Sequence, residues 1–202
     1  MAGIHILQWN CNGLAFRKTE LIHHIESVNG KYHVICLQET FLKPGIMFYI
    51  PGYNIVRCDR LESAKGGLIT LVKEGLNFSE VKVDTDIEYI DVKLSLKDFS
   101  LQIINIYITP GKILSNRSME CFSLSSKTII VGDLNGKSNM WGSETPDERG
   151  RVLEEFIESK GAVVINSGQP TYQHYSGSQS HLDVAIVSSD LHGRTSKLEC
   201  VK

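Results

Sequence analysis

Three carboxylates stand at the ends of apolar runs. Glu39 follows Val34-Ile35-Cys36-Leu37-Gln38, Asp133 follows Thr128-Ile129-Ile130-Val131-Gly132, and Asp183 heads Val184-Ala185-Ile186-Val187. A carboxylate brought against a core is costly unless it is paired or meets a cation. Amide side chains lie in comparable places: Asn10 and Asn12 in Trp9-Asn10-Cys11-Asn12-Gly13, and Asn135 in Gly132-Asp133-Leu134-Asn135-Gly136. Tyr107 closes another apolar run shortly before Pro110. Together these side chains form a hard, oxygen-rich set, which suits Mg²⁺ or Mn²⁺ rather than a soft metal. Each motif alone has an ordinary explanation. Strand-to-loop junctions are polar, so Glu39 can be a rim residue. Asn12-Gly13 is a turn signal, and Gly-Asp-x-Asn-Gly can be a tight turn. Asp183 can cap an element or pair with an arginine. Their occurrence together, in one order on one strand framework, points to a shared site.

The framework is read from hydrophobic periodicity. Ile4 to Trp9 is a strand, followed by a helix with Leu21, Ile22, Ile25 and Val28 at helical spacing and Asn29-Gly30 as its stop. Val34 to Gln38 is a buried strand. Gly66-Gly67 opens Leu68 to Val72. Tyr89 to Leu96 alternates, with Ile90, Val92, Leu94 and Leu96 on one face and Asp91, Lys93 and Ser95 on the other. Leu101 to Ile108 follows through a turn at Lys97-Asp98. Strands in succession without intervening helices argue for antiparallel sheet with helices packed outside. Residues 111–127 are polar and weakly periodic, a poor helix or a loop. Thr128 to Val131 is a short buried strand. Thr145-Pro146-Asp147-Glu148 predicts a helix capped by Thr145, with Val152, Leu153, Phe156 and Ile157 as its buried stripe. Ala162 to Ile165 and Leu182 to Val187 are the last strands. No linker-like segment divides residues 1–202, which read as one domain.

Composition limits the function classes. The 202 residues are 42% hydrophobic and 22% charged, with a net charge of −2. That excludes disorder, a collagen-like chain and a coiled coil. It is also not the basic balance of a protein that coats nucleic acid, although a local patch and a metal still allow transient contact. No apolar run approaches the roughly 20 residues of a membrane span. No secretory signal is visible, so an intracellular location without a membrane partner is expected. The five cysteines are widely spaced with no Cys-x-x-Cys pair, which favours free thiols over zinc or disulfides.

As a set, several stretches resemble the endonuclease/exonuclease/phosphatase superfamily, the fold of deoxyribonuclease I and the apurinic/apyrimidinic endonucleases. They are Gln8 to Leu14, Leu37-Gln38-Glu39-Thr40, Lys65-Gly66-Gly67-Leu68, Asn105-Ile106-Tyr107-Ile108, Ile130 to Gly136 and Leu182-Asp183. Trp141-Gly142-Ser143, Arg149-Gly150-Arg151 and Pro170-Thr171-Tyr172 resemble, within it, the endonuclease domain of non-LTR, jockey-like retrotransposons. The resemblance implies an α/β, four-layer α-β-β-α sandwich of two mostly antiparallel sheets. It implies a magnesium- or manganese-dependent endonuclease that hydrolyses a phosphodiester and nicks DNA in the nucleus. A reverse transcriptase would lie on the same polyprotein. By the same resemblance Glu39 is the principal metal ligand with Asn10 and Asn12 beside it, and Asp133 orients or deprotonates the attacking water. Asn135 holds a phosphate oxygen, Tyr107 donates to the phosphate, and Asp183 orients a histidine near the end of the domain.

The pattern departs at that histidine. The family's last motif is Ser-Asp-His, and the chain reaches Lys202 without it. Ser189-Asp190-Leu191-His192 has one residue too many, so His192 reads as a solvated loop residue. His181 shares a face with Asp183 but reads as a neighbouring surface histidine. The expectation is therefore a domain incomplete at its C-terminus, lacking a closing strand, with an exposed sheet edge. The alternatives are a phosphodiesterase or phosphatase of the same fold acting on a non-DNA substrate, and a non-catalytic remnant that binds DNA or protein.

Overall fold

The computed structural model describes residues 3–173, 177–196 and 198. Its first sheet is built from β1 (Ile6–Asn10), β2 (Val34–Gln38), β3 (Tyr53–Cys58) and β4 (Leu68–Lys73), ordered β1-β2-β4-β3. Strands β1 and β2 are parallel because helix α1 (Leu14–Ser27) carries the chain back between them. The other pairs of this sheet are antiparallel. The second sheet contains β5 (Asn77–Val81), β6 (Glu88–Ser95), β7 (Ser100–Tyr107), β8 (Thr128–Asp133), β9 (Val163–Val164) and β12 (Asp183–Val187). Its order is β5-β6-β7-β8-β12-β9, and only β7 and β8 run parallel. A short hairpin, β10 (Tyr172–Gln173) with β11 (Gln179–Ser180), precedes β12.

Period-2 alternation sends successive strand residues to opposite faces of each sheet, and three buried layers result. Val34, Cys36, Val56 and Leu68 face Ile90, Val92, Ile103, Ile129, Val131 and Ala185 between the sheets. On the outer face of the first sheet, Ile35, Leu37, Ile69 and Leu71 pack against Leu14, Leu21 and Ile25 of α1. On the outer face of the second, Ile104, Ile106, Ile130 and Ile186 meet Met119 of α2 (Asn116–Glu120), Phe122, and Leu153, Phe156 and Ile157 of α3 (Glu148–Ser159). The expected four layers, helix–sheet–sheet–helix, are present.

Several local expectations need correction. Asp147, not Thr145, caps α3: its carboxylate accepts from Gly150 N at 2.7 Å and from Lys137 N at 3.0 Å, bonds that a threonine two residues earlier does not make. The polar segment 111–127 contains the short helix α2, capped by Ser115, and sends Leu114, Met119, Phe122 and Leu124 into the core. Strands β3 and β5 carried too little alternation to be recognised. Both lie at sheet edges, where polar residues are tolerated. Strand β1 is the other edge of its sheet, and all five of its residues are half-buried. The four cysteines among the described residues, Cys11, Cys36, Cys58 and Cys121, are free thiols. Burial pushes Cys11 and Cys36 up to about 12, which keeps them protonated.

Asp91 shares the polar face of β6 with Lys93 and Ser95, which are exposed, yet it is itself 2% exposed. One carboxylate oxygen accepts from Gln102 Nε2 at 2.8 Å, and the other has no partner among the described residues. Burial pushes its pKa up to about 6, against the lowering effect of Gln102. A carboxyl with a raised folded-state pKa favours folding fully only below its unfolded pKa, and that contribution is lost as pH rises through the folded value. Relative to wild type, Asp91→Asn should therefore gain about 2–3 kcal/mol of stability between pH 4 and pH 7.5. Urea midpoints across that range measure it, and a stability gap that stays flat with pH contradicts it.

Candidate active site

On the inter-sheet face, apolar residues give way to polar ones at one end of the sandwich. Along β7 the sequence of inward side chains is Leu101, Ile103, Asn105, Tyr107. Along β8 it is Ile129, Val131, Asp133, and along β12, read backwards, Val187, Ala185, Asp183. The registers align these ends. Asp133 pairs with Tyr107 on one side and with Asp183 on the other. Across the gap, Asn10 pairs with Gln38 in the first sheet. The chemistry-bearing residues thus collect because each strand ends at the same height.

Glu39 needs a further device. It follows Gln38, so a continuing strand would turn it to the opposite face. Its φ is +52°, a left-handed conformation that ends the strand. Its carbonyl then accepts Gly13 N at 2.8 Å, while Gln38 and Thr40 carbonyls accept Cys11 N and Leu14 N. The β1–α1 turn and the segment after β2 are zipped together by these bonds. Asn12 (φ +42°) and Asn135 (φ +47°) make comparable left-handed turns.

The side chains meet closely. Asn10 Nδ2 donates to Glu39 Oε1 at 3.0 Å and to Asp133 Oδ2 at 2.8 Å, bridging the two acids. Tyr107 OH donates to the same Glu39 oxygen at 2.8 Å. Asn135 N donates to Asp133 Oδ1 at 3.1 Å, and its side-chain amide donates to Ile108 O at 3.0 Å. The expected group Asn10, Glu39, Tyr107, Asp133, Asn135 and Asp183 is therefore brought together. Asn12 joins through its backbone: its N–H donates to Asn10 Oδ1 at 3.1 Å, while the side chain is exposed. His181 bonds Gly168 O through its ring, and His192 is exposed.

Electrostatics follow from the crowding. Asp133 is pushed up to about 7, chiefly by burial and then by the neighbouring Asp183 charge. Hydrogen bonds from Asn10 and the Asn135 backbone oppose the rise, and Glu39 adds to it. Asp183 is raised by burial, against bonds from Thr171 and Gln8. Burial and the bond to Glu39 hold the Tyr107 phenol firmly protonated.

Sequence reasoning assigned no role to several contributors. Arg60 pairs with Glu88, whose other oxygen accepts Gly67 N, and its guanidinium lies 5.8 Å from the Tyr107 ring centroid. Arg149 donates to the carbonyls of Asn135 and Lys112 and so fixes the loop after β8. Gln8, Gln38 and Asn105 form a chain of amides beneath the acids. A usable signal existed for two of them: Gln8 and Asn105 lie two residues before Asn10 and Tyr107, hence on the same face. Two open grooves reach the site. One of about 610 Å³ is lined by Arg60, Leu61, Tyr107 and Thr109. The other, of about 550 Å³, is lined by Asn135, Lys112, Lys137 and Arg149.

Two face-to-face mixed sheets with outer helices and an acid–amide cluster at the strand ends define a deoxyribonuclease I-like α/β sandwich. Solved structures of this fold superpose on the chain. The endonuclease domain of TRAS1, a telomere-specific non-LTR retrotransposon, matches with a TM-score of 0.78 at 20% identity, over 94% of this chain and 86% of that one. The apurinic/apyrimidinic endonuclease LMAP of Leishmania major matches with a TM-score of 0.72 at 16% identity, over 94% and 80%. A family model described as endonuclease-reverse transcriptase matches residues 101–201, and the chain belongs to this family. The RNA-directed DNA polymerase from mobile element jockey of Drosophila melanogaster is 27% identical over 172 residues, 83% of this chain. The chain spans 19% of the length of that relative.

Proposed function

We propose that the chain is a metal-dependent endonuclease domain that nicks DNA by phosphodiester hydrolysis within a retrotransposon-type polyprotein carrying a reverse transcriptase. The observation that carries this reading is the Asn10 amide bridging Glu39 and Asp133, with the Tyr107 hydroxyl on the same Glu39 oxygen.

The donor set fits a hard divalent cation. Both bonds to Glu39 fall on Oε1, so Oε2 is available as a ligand. Asn10 Oδ1 accepts one bond, from Asn12 N, and retains a lone pair. Among the described residues no three His, Cys, Asp or Glu side chains form a ready-made cage. Mg²⁺ is commonly held by one or two carboxylates, with waters and substrate phosphates completing the shell. Glu39 with Asn10 would hold it, and Asn12, expected beside them, contributes its N–H to orient the Asn10 oxygen. When bound, the cation neutralises charge on the scissile phosphate and on the leaving oxygen.

The remaining work falls to the chain's own groups. Asp133, with its affinity for a proton raised toward neutrality, accepts one from the attacking water at its carboxylate. The Asn135 backbone and the Asn10 amide keep that carboxylate aimed. Tyr107, held protonated, donates its one proton to Glu39 and would turn it to a phosphate oxygen once substrate binds. Lys112, Lys137 and Arg149 line the groove at Asn135 and offer cations to flanking phosphates. Action on chromosomal DNA would place the protein in the nucleus.

Supercoiled plasmid tests the reading. Nicked circles should accumulate with Mg²⁺ or Mn²⁺ and stop accumulating when EDTA removes the metal. Release of phosphate from inositol phosphates in place of nicking would move the assignment to a different substrate. Absence of any metal-dependent cleavage would leave a domain that only binds DNA or protein.

A further inference from the structure

Beneath the acids lies a second polar layer, wholly amide in composition apart from Asp183. Asn105 is fully buried, and its Nδ2 donates to Ile69 O at 3.0 Å, Thr70 Oγ1 at 3.2 Å and Leu37 O at 3.3 Å. Backbone carbonyls can only accept, so the nitrogen end of this amide must face them. Its oxygen is thereby aimed at Gln38, which donates from Nε2 at 2.6 Å. Gln38, also fully buried, must then present its oxygen to Gln8. Gln8 Nε2 donates one proton to Gln38 Oε1 at 2.6 Å and the other to Asp183 Oδ1 at 2.7 Å. Each amide has two different ends, so orientation passes along the chain in one direction. It starts at the carbonyls of the first sheet, crosses to β7 and ends on a carboxylate of the second sheet.

We infer that Gln38 is a positioning residue: it sets the orientation of Gln8 and so guarantees that Asp183 always meets an N–H donor. The catalytic meaning of this relay rests on the nuclease reading above. Its geometry does not. A flipped Gln8 amide would place an oxygen against the Asp183 carboxylate, and lone pairs facing each other in a part-buried site are unfavourable. The relay removes that alternative. It also ties the first sheet to Asp183, which is 175 residues away from Gln8 in sequence. Gln38 itself is screened from any substrate by full burial, so its influence on a reaction must run through Gln8 and Asp183.

The direction of the relay gives it a signature. Hydrogen exchange of the side-chain NH₂ groups, followed by ¹⁵N NMR, reads it. In wild type the Gln8, Gln38 and Asn105 amides should all exchange slowly. In Gln38→Met, which keeps the length and removes the hydrogen bonds, the unmutated Gln8 amide should exchange at least tenfold faster. In Gln8→Met, on the half-buried edge strand, Gln38 and Asn105 should stay as protected as in wild type, since they are anchored from the other end. General loosening would expose the amides in both variants, and that result overturns the relay. So does a Gln8 amide that stays protected in Gln38→Met. Where Gln38→Met does not fold, Gln8→Met still decides, because lost protection at Gln38 contradicts the direction. In plasmid nicking, either variant should lower kcat about tenfold with KM for DNA unchanged. Unaltered kcat in a chain that nicks removes the positioning role. If wild type does not nick but the exchange asymmetry is present, the relay stands and the nuclease reading falls.

Discussion

Glu39→Gln should lower metal-dependent nicking by at least about 10²–10³-fold, because a bound cation supplies several kcal/mol of charge stabilisation and each 1.4 kcal/mol is a factor of ten. The substitution is chosen for what it preserves. A glutamine oxygen at the Oε1 position still accepts from Tyr107 and from Asn10. The left-handed backbone at this residue and the carbonyl bond to Gly13 N are unaffected. What disappears is the negative charge beside the expected cation. The Glu39 charge also adds to the raised proton affinity of Asp133, so its loss relieves repulsion and the melting temperature should stay level or rise. The metal then gives a second reading that needs no substrate. Saturating Mg²⁺ should raise the melting temperature of wild type, by linkage worth about 2.7 kcal/mol at a hundredfold excess over Kd. It should leave Glu39→Gln unmoved. A variant that nicks at the wild-type rate, or gains the same thermal shift, places the metal elsewhere.

The acids of this site were legible in the sequence because the strands that carry them are buried on both faces. An apolar run that stops at Asp133 or Glu39 marks the level where the core ends, and strands of matched register stop at one level. Alternation also located β6 and β7 and sorted their faces. It could not state how much of each outer face is wet, since helices cover that face in part: Ile104 and Ile106 are buried there while Lys93 and Ser95 are exposed. Asp91 shows this: it lies on the face opposite Ile90 and Val92 and is buried, while Lys93 and Ser95 on the same face are exposed. The amide layer was hidden by the same ambiguity. Gln8 and Asn105 are polar residues on the same faces as Ile6 and Ile103, and the sequence does not say that those faces meet between the sheets. Caps and edges failed differently. Thr145 and Asp147 are equivalent candidates by type, and the bonds from Gly150 N and Lys137 N to the Asp147 carboxylate separate them. Strands β3 and β5 pair on one side only and so carry less apolar signal than the central strands.

Gly132→Ala should destabilise the fold by about 3–5 kcal/mol and disperse the site. The main cause is a close approach, added to a backbone φ of +156° that side chains with a Cβ rarely adopt. A Cβ at this position would lie 1.9 Å from the carbonyl oxygen of Ile106 and 2.8 Å from its carbonyl carbon. Ile106 is the register partner of Gly132 in the parallel β7–β8 pair, and Val184 is its partner on the other side. The strand is held between two neighbours and cannot move away from one without losing the other. The residue that follows is Asp133, whose partners in the same ladders are Tyr107 and Asp183. Any separation of β7 and β8 at Gly132 therefore acts one residue later on the distance between the tyrosine and the acid. Gly161→Ala is the matched control. Gly161 has a left-handed φ of +58° but nothing within 4 Å of the added carbon. Strain alone should cost about 1–2 kcal/mol there, with nicking unchanged in the folded fraction. Urea unfolding of both variants, with nicking measured per folded molecule, separates the two mechanisms. Equal losses in the two variants would mean that the β7–β8 pair yields to an added methyl, and that the spacing of Tyr107 and Asp133 is not set by this glycine.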